Sequence, residues 1–250
     1  MATWADLAAE LDRWAAARLC ARFWWRDDDA VSDSPALTAL LECAAGVPVA
    51  LATIPALADD SLSDRLSGEP QITVFQHGWR HHDHAAVPPC SEYPAGRNIA
   101  TVLDEFREGR RLLLERFGER ALPVFTPPWH GLADAYFPLL CEAGLSGLSR
   151  RGPRAAPKVG GLIQVNVHCV PIEWTSPPRC GDEATYLGQI CRHLEGRRTG
   201  AYDRDEPTGV LTHHLVQDQA SYTFLSRLSA EIAAHSAAAW VDPRDLFHLG

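Results

Sequence analysis

Five short apolar runs in this chain each end in side chains that can do chemistry, with amphipathic helical patterns between them. Arg22-Phe23-Trp24-Trp25-Arg26 leads into Asp27-Asp28-Asp29. Gln71-Ile72-Thr73-Val74-Phe75 leads into a polar loop that carries His77, His81, His82 and His84. Val124-Phe125-Thr126 stops at Pro127-Pro128-Trp129-His130. Leu162 to Val167 stops at His168, and Gly209 to Thr212 at His213-His214. Such runs, rich in β-branched and aromatic residues, read as strands. Further strands are expected at 47–53, weakly at 144–149, and at 238–241. Helices are expected over 3–19, from Pro35 to about 45 behind an Asp33 or Ser34 cap, and at 61–66. Others follow over 99–117 and 134–143, behind an Asp182 cap, and over 221–235. Residues 85–97 and 150–160 read as loops, the first as a site rim.

Strand and helix alternate without an internal repeat or a linker, so one α/β domain over residues 1–250 is expected, with a parallel sheet and helices outside. The placement of the polar residues favours a β/α barrel. They sit at the ends of several different strands, and a barrel gathers those ends at one mouth. An open sheet would spread some of them too far apart.

The 250 residues carry a net charge of −9, and the pI is about 5.6. That balance argues against nucleic acid or an anionic membrane as a partner. Arg107, Arg110, Arg111 and Arg116 are interleaved with Asp104, Glu105, Glu108 and Glu115 and read as a solvated helix face. A second basic cluster is Arg150, Arg151 and Arg154. Seven cysteines at irregular spacing fit reduced thiols, most of them core fillers, in a cytosol. Acidic residues interrupt the N-terminus, so no signal peptide is read there, and no run approaches a membrane span. The cytoplasm is the expected compartment; the oligomeric state is left open.

His77 and His81 are four apart, so a helical turn or a tight loop would aim both imidazoles at one point, as a borderline metal such as zinc requires. Two imidazoles and one carboxylate leave coordination positions open for water and substrate. Hydrolysis of an amide or ester also needs a base and an acid. Asp27-Asp28-Asp29 can supply a ligand and a base, and His213 or His214 the acid. His130, His168, His193, His235 and His248 read individually as structural or surface residues, His168 being the best placed of them. Trp79, Trp129 and Trp174 suit either sugar stacking or core packing.

The order of these motifs resembles the polysaccharide deacetylase superfamily, the NodB-homology domain of carbohydrate esterase family 4. Asp28-Asp29-Ala30 stands where that family has Asp-Asp-Gly. His77-Gly78-Trp79-Arg80-His81 matches its His-x-x-x-His, and Leu211-Thr212-His213 its Leu-x-His. Thr126-Pro127-Pro128-Trp129 is similar to its Arg-x-Pro-aromatic segment, and Asn166 to Trp174 to the motif flanking the base. The match runs from about residue 22 to 215. It implies a distorted barrel of seven or eight strands and a divalent metal, often zinc, held by Asp29, His77 and His81. It implies Asp28 as base and His213 as acid, with Asp27-Asp28 and His214 as the alternative register. Trp79, Pro128, Trp129, Trp174 and His214 would line the substrate.

The resemblance further implies removal of an acyl group, N-acetyl first, from an amino sugar or glycoconjugate. With no export signal, the substrate would be an intracellular glycan, sugar nucleotide or precursor. Where the family has an arginine that holds the catalytic aspartate, this chain has Thr126, and Arg26 or Arg80 is the candidate replacement. Two rivals stand beside it. One is a barrel that binds metal or glycan without turnover. The other is a two-His-one-carboxylate iron oxygenase built on His81-His82-Asp83, a chemistry at home in all-β sandwiches.

Overall fold

The computed structural model describes residues 1–247; His248 lies outside them. Helix α1 (Trp4–Ala16) begins in a reciprocal cap between Thr3 and Asp6. Strand β1 (Ala21–Ala30) follows, then α2 (Pro35–Ala44), whose cap is Ser34, its hydroxyl accepting from the Leu37 amide. Next come β2 (Val49–Thr53), α3 (Asp60–Leu66), β3 (Ile72–His77), α4 (Ile99–Phe117) and β4 (Ala121–Thr126). The second half holds α5 (Phe137–Glu142), β5 (Gly147–Leu148), β6 (Lys158–Val159), β7 (Leu162–Gln164) and α6 (Glu183–Thr199), capped by Asp182. It closes with β8 (Thr208–Thr212), α7 (Gln219–Ala234), β9 (Ala238–Trp240) and α8 (Pro243–Leu246).

The sheet runs β6-β7-β5-β4-β3-β2-β1-β8, with β9 beside the start of β1. All its pairings are parallel except the β6–β7 hairpin, whose first strand lies inside the segment expected to be loop. The chain beyond β7 turns this sheet into a distorted barrel. Val167 bridges to Arg151 on one side, and Cys169 to Val210 of β8 on the other. The strand expected over 162–168 is therefore regular only as far as Gln164. Beyond it the chain leaves the β5 edge to reach β8, and single bridges replace the ladder.

Alternation along the strands divides the core. Trp24, Ala50, Ala52, Phe75, Val124 and Leu211 point into the barrel, together with Val165 and Val167. Phe247 closes that layer, its ring 6.1 Å from Trp24 and 5.3 Å from Phe75, edge-on to both. Phe23, Trp25, Leu51, Val74 and Val210 point outward onto the apolar faces of α1, α2, α6 and α7. Phe106 of α4 and Leu140 of α5 cover Phe125 and Leu148. Each of these fully buried large side chains contributes roughly 1.5–3 kcal/mol. The result is a rigid frame that fixes where the strand ends lie.

The basic residues of α4 are largely ion-paired on the surface, Arg111 with Glu108 and Glu115, as expected. The cysteines differ from expectation. All are free thiols, but Cys20, Cys90 and Cys141 are exposed and only Cys169 is buried. Small size places a thiol wherever neighbours leave room, and here that is mostly near the surface. Among the described residues no helix is long and apolar enough to cross a membrane.

Candidate active site

Strand β1 continues through the aspartate triplet instead of stopping before it. Asp27 pairs with Leu51 and Asp28 with Ala52, but Ala30 pairs with Thr53, so Asp29 is the extra residue of a bulge. Its φ of +73° turns it out of alternation. Trp24, Arg26 and Asp28 already share the inner face. The bulge brings Asp29 round to the same mouth, and two consecutive carboxylates face one cleft. Asp27 points the opposite way. It is fully buried and accepts from the Thr212 hydroxyl at 2.6 Å and the His214 amide at 3.0 Å.

His77 ends β3, and the loop behind it folds back as a tight turn. Glu92 holds that turn: its buried carboxylate accepts from the amides of Trp79 at 3.0 Å and Arg80 at 2.8 Å. Gly78 has φ +60°, and a Cβ there would lie 1.9 Å from Glu92 Oε2, so only glycine fits. His81, at φ +57°, swings back towards His77, with ring centroids 5.1 Å apart. His77 Nε2 lies 3.2 Å from Asp29 Oδ1, and His81 Nε2 3.4 Å from the same oxygen. The spacing of four is met by a loop, and the sequence allowed either form.

These three residues fit a metal. His77 Nδ1 lies 2.9 Å from the Thr126 carbonyl, which can only accept, so the ring carries its proton there. The lone pair on Nε2 then faces Asp29 Oδ1, itself a buried oxygen without a hydrogen-bond partner. Two acceptors converging in this way call for a cation between them. Ligands about 2.0–2.1 Å from a tetrahedral centre lie about 3.3–3.4 Å from one another, close to the separations observed. Nitrogen and carboxylate donors suit zinc and its neighbours in the transition series.

A second buried group, His168, His193 and Glu206, has similar composition but the opposite hydrogen bonding. His168 Nδ1 accepts from the Gly209 amide at 2.9 Å, so its Nε2 carries the proton and points at Glu206 Oε2, 3.4 Å away. Glu206 also accepts from the amides of Arg154 and Asn166. Burial would raise this carboxyl, yet the imidazoles of His168 and His193, with Nε2 at 3.4 and 3.8 Å, bring it to about 2. Burial pushes His193 down to about 4. A donor already protonated towards its carboxylate is not a free ligand, so this group is a polar strut under β8. Glu206 and His193 carry no sequence signal for that role.

Asp28 is 2% exposed and gripped by Arg26, whose Nε reaches Oδ1 at 2.8 Å and Nη2 reaches Oδ2 at 3.0 Å. Arg26 also donates to the Ser149 hydroxyl at 2.7 Å. Burial alone would raise the Asp28 carboxyl, but the Arg26 guanidinium and then His77 and His213 hold it below its ordinary value. Thr126 makes no such contact, and Arg80 is exposed on the loop, so of the two candidate arginines the contact belongs to Arg26.

Asp28, Asp29, His77, His81 and His213 line one cleft of about 460 Å³. His213 faces in and His214 out, because they are neighbours at a strand end. Trp174 meets the His213 ring edge-on at 4.8 Å, and Trp129 lies 4.2 Å from His81. Both tryptophans stay exposed, at 61% and 40%. His130, read from sequence as structural or surface, also lines the cleft, and burial pushes it down to about 3. Its place follows from positive φ at Trp129 and His130, a backbone feature without a sequence signature.

Three expected substrate contacts lie elsewhere. His214 is 1% exposed and paired through Nδ1 to Asp27; burial opposes its protonation, and Asp27 overrides that and raises it. Trp79 lines a separate pocket with Arg80 and Glu92 because the Glu92 clamp turns its backbone away. Pro128 is buried under Gly78, where it packs the turn. His82, Asp83 and His84, needed by the oxygenase alternative, form no ligand group among the described residues. Asp83 is instead a loop acceptor for the amides of Ala85 and Ser91.

No protein-family model and no curated protein matches the sequence. Solved structures do. A Mycobacterium smegmatis protein provisionally assigned as a polysaccharide deacetylase aligns over 90% of this chain and 88% of its own, at 14% identity and a TM-score of 0.62. The Bc1960 peptidoglycan N-acetylglucosamine deacetylase aligns over 96% of this chain and 98% of its own, at 13% identity and a TM-score of 0.55. A family 4 acetyl xylan esterase from Clostridium thermocellum, in complex with a cobalt ion, aligns over 90% of both chains at 14% identity and a TM-score of 0.50. At such identities the likeness is one of fold, and it spans nearly the whole chain.

Proposed function

We infer that this chain, a divergent sequence with the polysaccharide deacetylase fold of carbohydrate esterase family 4, is a metal-dependent hydrolase. It removes an acyl group, N-acetyl first, from an amino sugar or glycoconjugate. The observation that carries this reading is the joint geometry of Asp29, His77 and His81 with an arginine-held Asp28 and His213 in the same cleft. A purely structural metal site closes its coordination sphere with protein ligands, whereas three ligands at a cleft leave positions open.

A divalent cation held by Asp29, His77 and His81, for which zinc suits the donor set, would supply Lewis-acid activation of water and of the acyl oxygen. The chain's own residues divide the remaining work. Asp28, kept ionised and fixed in direction by Arg26, takes the proton of the attacking water. His213 donates a proton to the nitrogen of the departing amine, which would otherwise leave as an unstable anion. Trp129 and Trp174 flank the cleft as exposed ring faces on which a sugar can stack. The catalytic unit is the whole barrel, since its parts come from β1, β3, β8 and the turns after them.

The reading as a non-catalytic barrel leaned on the missing motif arginine. Arg26 fills that role from within β1, so the catalytic reading is the better supported. The direct test is acyl release by metal-loaded protein from N-acetylated sugars and activated acetyl esters, with Asp28→Asn as the control.

A further inference from the structure

Beside the cleft lies a groove of about 360 Å³, and the two share His130 and Arg151 as a common wall. The groove is lined by Arg150, Arg151, Arg154 and Lys158, and no carboxylate lines it. Arg154 is neutralised by Asp203 at 2.8 Å. Among the described residues Arg150, Arg151 and Lys158 have no ion-pair partner, in a chain whose net charge is −9. Arg150 is braced instead over the Phe137 ring, 5.7 Å from its centroid. Lys158 is the only lysine in the sequence, and the β6–β7 hairpin places it here.

Three unneutralised cations around one concave surface repel one another and focus a positive potential into it. On a protein of net charge −9, such a groove, free of carboxylates, is suited to an anion. Guanidinium groups match the planar or tetrahedral oxygens of carboxylate and phosphate, and an ammonium adds a point charge. Arg151 and His130 border both the groove and the cleft, so a charged group held in the groove lies beside whatever occupies the cleft.

We propose that this groove binds a compact oxyanion, phosphoryl or carboxylate, carried by the acylated amino sugar whose acyl group sits in the cleft. The substrate class is then an anionic amino-sugar derivative, and a neutral glycan chain is the poorer substrate. This inference rests on the hydrolase reading of the cleft, but the groove can be tested apart from it.

The test uses the metal-loaded full chain and four probes: N-acetylglucosamine, its 1-phosphate, its uridine diphosphate ester, and a carboxylated N-acetyl amino sugar. Acyl release from the anionic probes is expected at a kcat/KM about tenfold or more above the neutral sugar, mostly through KM, and screened by salt. Arg150→Gln and Lys158→Gln should each remove much of that advantage while leaving the neutral sugar's kcat/KM unchanged. The phosphate and carboxylate arms show which oxyanion the groove prefers. Equilibrium binding of the same probes to metal-loaded Asp28→Asn gives a readout free of turnover. If no probe releases its acyl group but the anionic ones bind, and Lys158→Gln weakens them, the groove stands and the hydrolase reading fails. Equal kcat/KM for neutral and anionic probes, binding that neither variant weakens, or no binding at all overturns the groove.

Discussion

Arg26 grips both carboxylate oxygens of Asp28 from two positions upstream on the same strand, at 2.8 and 3.0 Å. Both side chains are buried. The pair is possible because residues two apart on a strand share a face. Removing the guanidinium leaves a buried, uncompensated charge, a loss of about 3–5 kcal/mol in comparable cases. Arg26→Gln should therefore unfold at lower denaturant. It should also retain metal and lose activity by about two orders of magnitude. Arg26 lowers the Asp28 carboxyl, so its loss raises it, and the acidic limb of the rate profile should move to higher pH. Arg26→Lys, with charge but no fork, should recover only part. Denaturant titration, metal content and the pH profile, measured on both variants, check this.

The bulge at Asp29 separates the three aspartates by role. Asp28→Asn should keep its metal and lose hydrolysis. Asp29→Asn should lose metal affinity by at least tenfold. Asp27→Asn should bind metal normally but lose stability, because Asp27 anchors Thr212 and His214 on the outer face. Metal titration of the three variants decides the register.

His77→Ala and His81→Ala should both lose the metal while circular dichroism shows the fold intact. His168→Ala and His193→Ala should keep it, since the proton on His168 Nε2 points at Glu206. Elemental analysis of the four proteins tests whether a single ion is held, and by which cluster.

Much of this was legible in the sequence because it rests on periodicity. The strands and the polar residues at their ends were legible, but the choices between Arg26 and Arg80 and between His213 and His214 stay open until the faces of β1 and of the β8 end are seen. The helix of residues 99–117 was plain, and Ser34 was one of the two caps expected for α2. What escaped was set by backbone geometry or long-range contact. The aspartate bulge depends on a register slip against β2, and the Glu92 clamp joins residues more than ten apart. Positive φ at Trp129 and His130 carries no residue signature. Trp79 and Pro128 were expected at the substrate because motifs are read as units, yet a turn sends neighbouring side chains to opposite sides. Glu206 joins His168 and His193 only through the closure of the barrel.

The strut under β8 should make the protein sensitive to acid. His193 is held down to about 4 in the fold by burial, below its ordinary value near 6.5. The unfolded chain therefore takes up a proton that the folded one refuses. Stability from this group is fully present above about pH 6.5 and is lost as pH falls towards 4, by about 1–3 kcal/mol. His193→Gln should flatten that part of the stability curve. Urea unfolding between pH 7 and pH 4.5 on both proteins measures the difference; equal slopes would contradict the assignment.

The most direct measurement is acyl release by metal-loaded wild-type protein, with Asp28→Asn at matched metal content and His213→Ala beside it. The account predicts release from N-acetylated amino sugars well above the Asp28→Asn control. It also predicts that His213→Ala loses amide substrates by about 10²-fold or more while retaining activated esters, whose leaving groups need little protonation. Wild-type protein that holds its metal on Asp29, His77 and His81, yet releases no more acyl group than Asp28→Asn from any of these substrates, would contradict it.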